Sequence, residues 1–382
     1  MRSWRWCAPA LALILAAVSP IWATGSEDPV VFNVNIRLLG VDLGVGYRGF
    51  SFVPGVNTTI WAYLGGGYEW LTYYRDPSGG LVPSGALAPS GALWPLQPVF
   101  TRVEGAWQLG IEQGLAWNPR TRSDLVEAFL FYRGRLDSNQ VQEGQLLFLS
   151  SLPDAAGSFL NTVLAGFAFD DVQNETRHKV RDGVSAELSA EWGPRFFLNA
   201  VDGDSDFLRF NATLRWFLPL FDVAPDRPVN LLSVYLGEFA SVDYAVGFSA
   251  PVPLYIRQTF GGRYAQQPVG LGLQVRGVDP GAYDTNLKAV NNLELRFNLP
   301  AVVLPDIVPG AVLYWDIGYY DQVGESGVPS PPPWGIVTAT GVGITLDFLD
   351  LATGAAYLTW RLDSPNADGT VVGLDIEFSL HF

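Results

Sequence analysis

Val372-Gly-Leu-Asp-Ile-Glu-Phe-Ser-Leu-His-Phe382 closes the chain, and its alternation runs to the last residue. Val372, Leu374, Ile376, Phe378, Leu380 and Phe382 fall on one face; Gly373, Asp375, Glu377, Ser379 and His381 fall on the other. A period of two over this length is a strand, because successive side chains point to opposite faces. At a free end in water, such an apolar strand would template aggregation. A closed barrel in lipid requires one, since every backbone group must be paired and the outer face must be greasy. Bacterial outer-membrane barrels commonly end on an aromatic that the barrel-assembly machinery reads. Phe378, Leu380 and Phe382 are therefore expected to form the closing strand and to engage that machinery.

The other end of the chain agrees. Arg2 and Arg5 precede an apolar stretch from Ala8 to Val18, with small residues at Ala23 and Gly25. A charged region, a short apolar region and a cleavage zone make a secretory signal peptide. We assign it to residues 1–23, with cleavage after Gly25 also compatible, and residues 24–382 to a single barrel domain. The apolar stretch is too short to span a bilayer, which needs ~20 residues. The only cysteine, Cys7, lies inside the signal, so no disulfide or thiol chemistry is expected afterwards.

Losing Arg2 and Arg5 reduces the 23 basic residues to 21 against 38 acids, a net charge of about −17. An acidic chain without a basic stripe excludes nucleic acid as a partner. Aromatics make up 13% of the chain, with 41 glycines and only 16% charge, yet no apolar run is long enough for a helical span. Interface girdles and tight strand packing explain that combination in a barrel.

Period-two segments recur. Phe32 to Leu38, Val184 to Trp192, Leu208 to Trp216 and Leu293 to Leu299 each place apolar side chains on one face and polar or charged ones on the other. Charges at every second position suit a watery lumen and an outer face in lipid. Pro77, Pro83 and Pro89 open three similar P-S-G units between Pro77 and Leu93, and Val328 to Trp334 is rich in proline. Both read as loops and neither as a central strand. At ~9–11 residues per membrane strand plus turns, the length predicts about 16 antiparallel strands, within a range of roughly 12 to 16.

The segment from Gln258 to Leu346 narrows the reading. It holds F-G-G (Phe260 to Gly262), Q-V-R-G-V (Gln274 to Val278), N-L-E-L-R-F-N-L (Asn292 to Leu299), Y-W-D-I-G-Y-Y (Tyr314 to Tyr320) and G-V-G-I-T-L (Gly341 to Leu346). That order resembles the C-terminal half of the BamA/TamA-type superfamily of outer-membrane assembly and secretion barrels. The resemblance covers roughly residues 250–382. It implies a long loop folded into the lumen, with Arg276 and Gly277 at its tip and Asp316 on the inner wall as the arginine's partner. Asp316 alternates with Trp315 and Ile317, so it should face inward, and Glu294 and Arg296 share that orientation. Two departures stand out. Val278 occupies a position where the family prefers an aromatic. The first strand, expected over Val31 to Leu38, follows the signal too closely to leave room for the periplasmic POTRA modules that usually precede such barrels.

Other chemistry is poorly supplied. Asp202, Asp204 and Asp206 alternate beside a glycine, but no glutamate closes a calcium loop. His178 and His381 are the only histidines, too few for metal spacing or for a nucleophile–histidine site. No metal, cofactor or catalytic residue is expected. The resemblance implies insertion or translocation of protein or lipid at the cell outer membrane. Its partners would be outer-membrane lipid, the assembly machinery through the C-terminal strand, and other outer-membrane proteins or a periplasmic docking protein. The alternatives are a cation-preferring diffusion pore, lined by Glu187, Glu191, Glu294, Asp316, Asp375 and Glu377, and a structural barrel displaying its loops.

Overall fold

The computed structural model describes residues 30–37, 40–71, 73–75, 81–83, 100–140, 157–175, 179–197, 199, 205–223, 230–250, 252–263, 271–272, 274–277, 285–300, 307–321, 335–348, 352–363 and 371–380. The expected signal peptide, Phe382, both histidines, Asp202, Asp204 and the proline-rich 328–334 segment lie outside them.

Alternating sequence becomes strand. In chain order these are β1 (Val30–Arg37), β2 (Gly40–Phe50), β3 (Thr58–Leu71), β4 (Tyr73–Arg75), β5 (Leu81–Pro83), β6 (Phe100–Asn118), β7 (Ser123–Gln140), β8 (Gly157–Asp170) and β9 (Gln173–Glu175). They continue with β10 (Val180–Gly193), β11 (Phe207–Asp222), β12 (Ser233–Gly247), β13 (Leu287–Asn298), β14 (Ile307–Asp321), β15 (Gly335–Phe348), β16 (Ala352–Arg361) and β17 (Val372–Leu380). β4 and β5 pair only with each other, so the P-S-G repeat contributes a small separate ribbon. The remaining strands form one 15-stranded sheet in which β9 hangs on β10, leaving a path of fourteen from β1 to β17. Every pairing along it is antiparallel, and the path follows chain order, passing over only β4, β5 and β9.

Among the described residues this path has fourteen strands, within the expected range of roughly 12 to 16. β6 has 19 residues and β7 has 18, where a crossing takes only ~9–11. β1 and β17, the two ends of the path, come within 8 Å of each other between Cα atoms. No ladder joins them among the described residues.

The sheet is apolar outside and polar inside. Leu64 is 69% exposed and Leu188 is 64% exposed, and both belong to a belt that includes Leu43, Leu109, Phe167 and Ile344 on other strands. The opposite face carries buried charges, among them Glu112, Glu191, Arg209, Asp243, Lys288 and Asp316. A soluble protein would not present an apolar belt of this extent to water. No described helix is long and apolar enough to cross a membrane.

Antiparallel neighbours put alternate connections at the same end. One end carries short ones, such as 51–57, 119–122 and 349–351. The other carries 72–99, 141–156 and 248–286. In transmembrane barrels, short turns face the periplasm and long loops face outward.

Candidate functional site

The connection from β12 to β13 turns into the enclosed face of the sheet. Pro253 starts a five-residue helix, Leu254–Gln258, and Thr259 ends it in extended backbone. Val252 and Ile256 bury against Leu160, Phe207 and Ala245 of the wall. The Lys288 ammonium on β13 donates to the carbonyls of Ile256 (3.1 Å) and Arg257 (3.3 Å). A cation at a helix C-terminus satisfies carbonyls that have no partner within the helix. Beyond the helix, Phe260, Leu271 and Val275 of the loop join Phe217, Tyr235 and Phe239 of the wall in one apolar cluster.

Three ionic anchors flank this cluster. In the first, Asp243 on β12 accepts from the Gly261 backbone N–H at 2.6 Å and from Arg209 Nε at 2.9 Å, with Lys288 Nζ 3.2 Å away. In the second, Arg263 meets three acids from different strands: Glu112 of β6 (3.1 Å), Glu127 of β7 (2.5 Å) and Glu187 of β10 (3.8 Å). Its backbone N–H donates to Glu187 Oε1 at 2.6 Å, while Arg133 of β7 donates to the carbonyls of Gly262 and Arg263. Gly262 lies at φ +116°, a conformation glycine adopts without steric cost.

The third anchor gathers the residues singled out in the sequence. Arg276 Nε donates to Asp316 Oδ2 at 2.8 Å and Nη2 to Oδ1 at 2.6 Å, a bidentate pair. The Arg276 backbone N–H adds a third bond to the same carboxylate, 3.0 Å long. Nη1 donates to Glu294 Oε1 at 2.5 Å, and Arg296 Nε holds the other oxygen of Glu294 at 2.6 Å. The Arg276 guanidinium lies 3.7 Å from the centre of the Tyr314 ring. Gly277, at φ +73°, brings the backbone so near β16 that a Cβ would sit 2.6 Å from Thr359 Cγ2. At Gly318 of β14 a Cβ would lie 2.8 Å from Val275 Cγ2. The D-I-G segment thus supplies a carboxylate and, two residues on the same face later, the space in which the loop seats.

Arg276, Gly277, Glu294, Arg296 and Asp316 are therefore brought to one place. Phe378 and Leu380 are strand residues of β17, paired with Gly354 and Ala352; their side chains are outside the description, as is Phe382. Of the aspartate triplet only Asp206 is described, and it accepts from Ser249 Oγ at 2.7 Å. The Arg263 and Asp243 anchors were not foreseen. Inward parity of Glu112, Glu127, Glu187 and Asp243 was the available signal, but parity does not say which cation each carboxylate meets.

No family model and no curated protein matches this sequence. Solved structures do. The crystal structure of BamA from Haemophilus ducreyi lacking POTRA domains 1-3 superposes over 92% of this chain and 64% of that one, with a TM-score of 0.51 and 10% identity. CdiB from Escherichia coli aligns over 94% of this chain and 63% of its own, at a TM-score of 0.49 and 13% identity. The chain spans just under two thirds of the length of these structures. At such identity the likeness speaks to architecture alone: the antiparallel sheet of this chain has the fold of the BamA structure.

Proposed function

We propose that the sheet closes as a barrel in the bacterial outer membrane and acts there in the insertion or translocation of protein or lipid, as a BamA/TamA-type protein. The observation that carries this reading is the Arg276–Asp316–Glu294 anchor, which ties an inserted loop to the inner wall below an apolar cluster. An open diffusion pore has no use for a lumen occupied in this way. The place for opening is the junction of β1 and β17, because a strand of eight residues offers few ladder bonds. In this reading the chain is exported through residues 1–23, β17 engages the assembly machinery, and a periplasmic protein supplies docking. No catalytic residue or cofactor takes part.

Depletion of the protein in its own cells tests the role. A fall of other outer-membrane barrels or of surface lipid in isolated outer membranes is the expected result. Unchanged levels of both, together with a large cation-selective conductance of the purified protein, would overturn it in favour of a pore.

A further inference from the structure

At the short-turn end, the passage from β8 to β10 does not hug the wall. The β8–β10 ladder stops at the pair Asp170 and Ser185. Beyond it, β9 pairs instead with Val180, Arg181 and Asp182. The bend between the two ladders sits at Gly183, where φ is +116° and a Cβ would lie 2.2 Å from the Asp171 carbonyl oxygen. Only glycine fits there. Lys179, on the far side, also has positive φ, at 56°.

Two contacts show where the bend sends these arms. Asn298 Nδ2, at the end of β13, donates to the Lys179 carbonyl across 2.8 Å. Along the sheet, β10 and β13 are separated by β11 and β12, three steps of ~4.8 Å or roughly 14 Å of wall. A hydrogen bond between them means that the arm has left the wall and crosses the mouth as a chord. On the other flank, Asn118 Nδ2 donates to Asp171 Oδ1 at 2.7 Å, and Arg120 Nη2 to Asp182 Oδ2 at 3.1 Å, from the β6–β7 turn. The arms are thus moored on both sides. Beneath them, Val172 and Val180 pack onto the same apolar cluster that holds Phe260, Leu271 and Val275 of the inserted loop.

We propose that the two arms, Asp171–Glu175 and Lys179–Gly183, form a built-in floor that shuts the lumen at its short-turn end and seats the inserted loop from below. This rests on the reading of the sheet as a closed barrel. With the floor in place the apolar cluster is covered on the side opposite the long loops, and a dry apolar constriction blocks ions. The loop leaves the lumen only when the floor lifts, because the two share one core.

Conductance of the purified full chain in planar bilayers tests this. The Val172→Asp/Val180→Asp variant wets the floor, and Asn298→Asp removes the chord donor while keeping its shape. Arg276→Ala is the loop control. Wild type is expected to pass little current, the double aspartate variant at least roughly tenfold more, and Asn298→Asp an intermediate amount. Added to Arg276→Ala, either floor change is expected to raise conductance further. Floor variants that keep heat-modifiable migration on gels yet conduct like their parents, alone and with Arg276→Ala, would overturn the floor and leave the barrel standing. A large steady current through wild type would do the same. Absence of heat-modifiable migration in wild type would overturn the barrel itself, and the floor with it.

Discussion

Arg276 concentrates more charge-assisted bonds than any loop residue described above, and its loss has a calculable consequence. In Arg276→Ala, Asp316 keeps its buried carboxylate without the bidentate partner, and Glu294 retains only Arg296. Breaking a buried pair by deleting one member costs ~3–5 kcal/mol. The temperature at which the folded gel band converts to the unfolded one should fall accordingly, and Arg276→Asp with Asp316→Arg should recover part of the loss. Equal conversion temperatures for the single and the double variant would contradict direct pairing. The pairing was expected only from the family resemblance of the V-R-G and D-I-G segments; strand parity by itself gave the inward orientation of Asp316. Arg263 was not readable. Its acidic partners lie 76, 136 and 151 residues upstream, and no local pattern reports contacts made across an enclosed space.

Strands were the most legible elements, since an apolar outer face and a polar inner face enforce a strict period of two. Leu188 pairs with Phe167 on the outer face, while its neighbour Ser189 is buried inside. Leu188→Arg should therefore cost ~2–4 kcal/mol near the bilayer midplane, lowering the urea midpoint in lipid vesicles. Leu188→Val should leave that midpoint nearly unchanged. An equal response to both would contradict the outward assignment. The helix Leu254–Gln258 escaped the sequence reading for an equally physical reason. Five residues are too few to show a helical period, and tertiary contacts stabilise it: Lys288 at its carbonyl end and Arg135, 3.8 Å from the centre of the Tyr255 ring. Likewise, nothing in the P-S-G repeat marks Leu81–Pro83 as a strand.

For the molecule as a whole, the alternating segments and the terminal strand pointed to an antiparallel all-β fold, and the described residues form one such sheet. Strand number was less legible, because length alone does not divide residues between wall and connections. The spacing of the anchors carries a mechanical consequence. Arg263 is fastened to β6, β7 and β10, and Arg276 to β13 and β14, so the inserted segment spans that arc of wall as a string spans a bow. A strung arc resists flattening. β1 to β3 at one end of the path, and β15 to β17 at the other, lie outside these ionic fastenings and keep more of the compliance of a plain sheet. Thermal breathing should therefore be lopsided. Amide hydrogens of β6 to β14 should exchange slowest, and those of β1, β2 and β17 fastest. In Arg276→Ala the contrast between the two arcs should shrink; a uniform exchange pattern in the wild type would show that the string carries no tension.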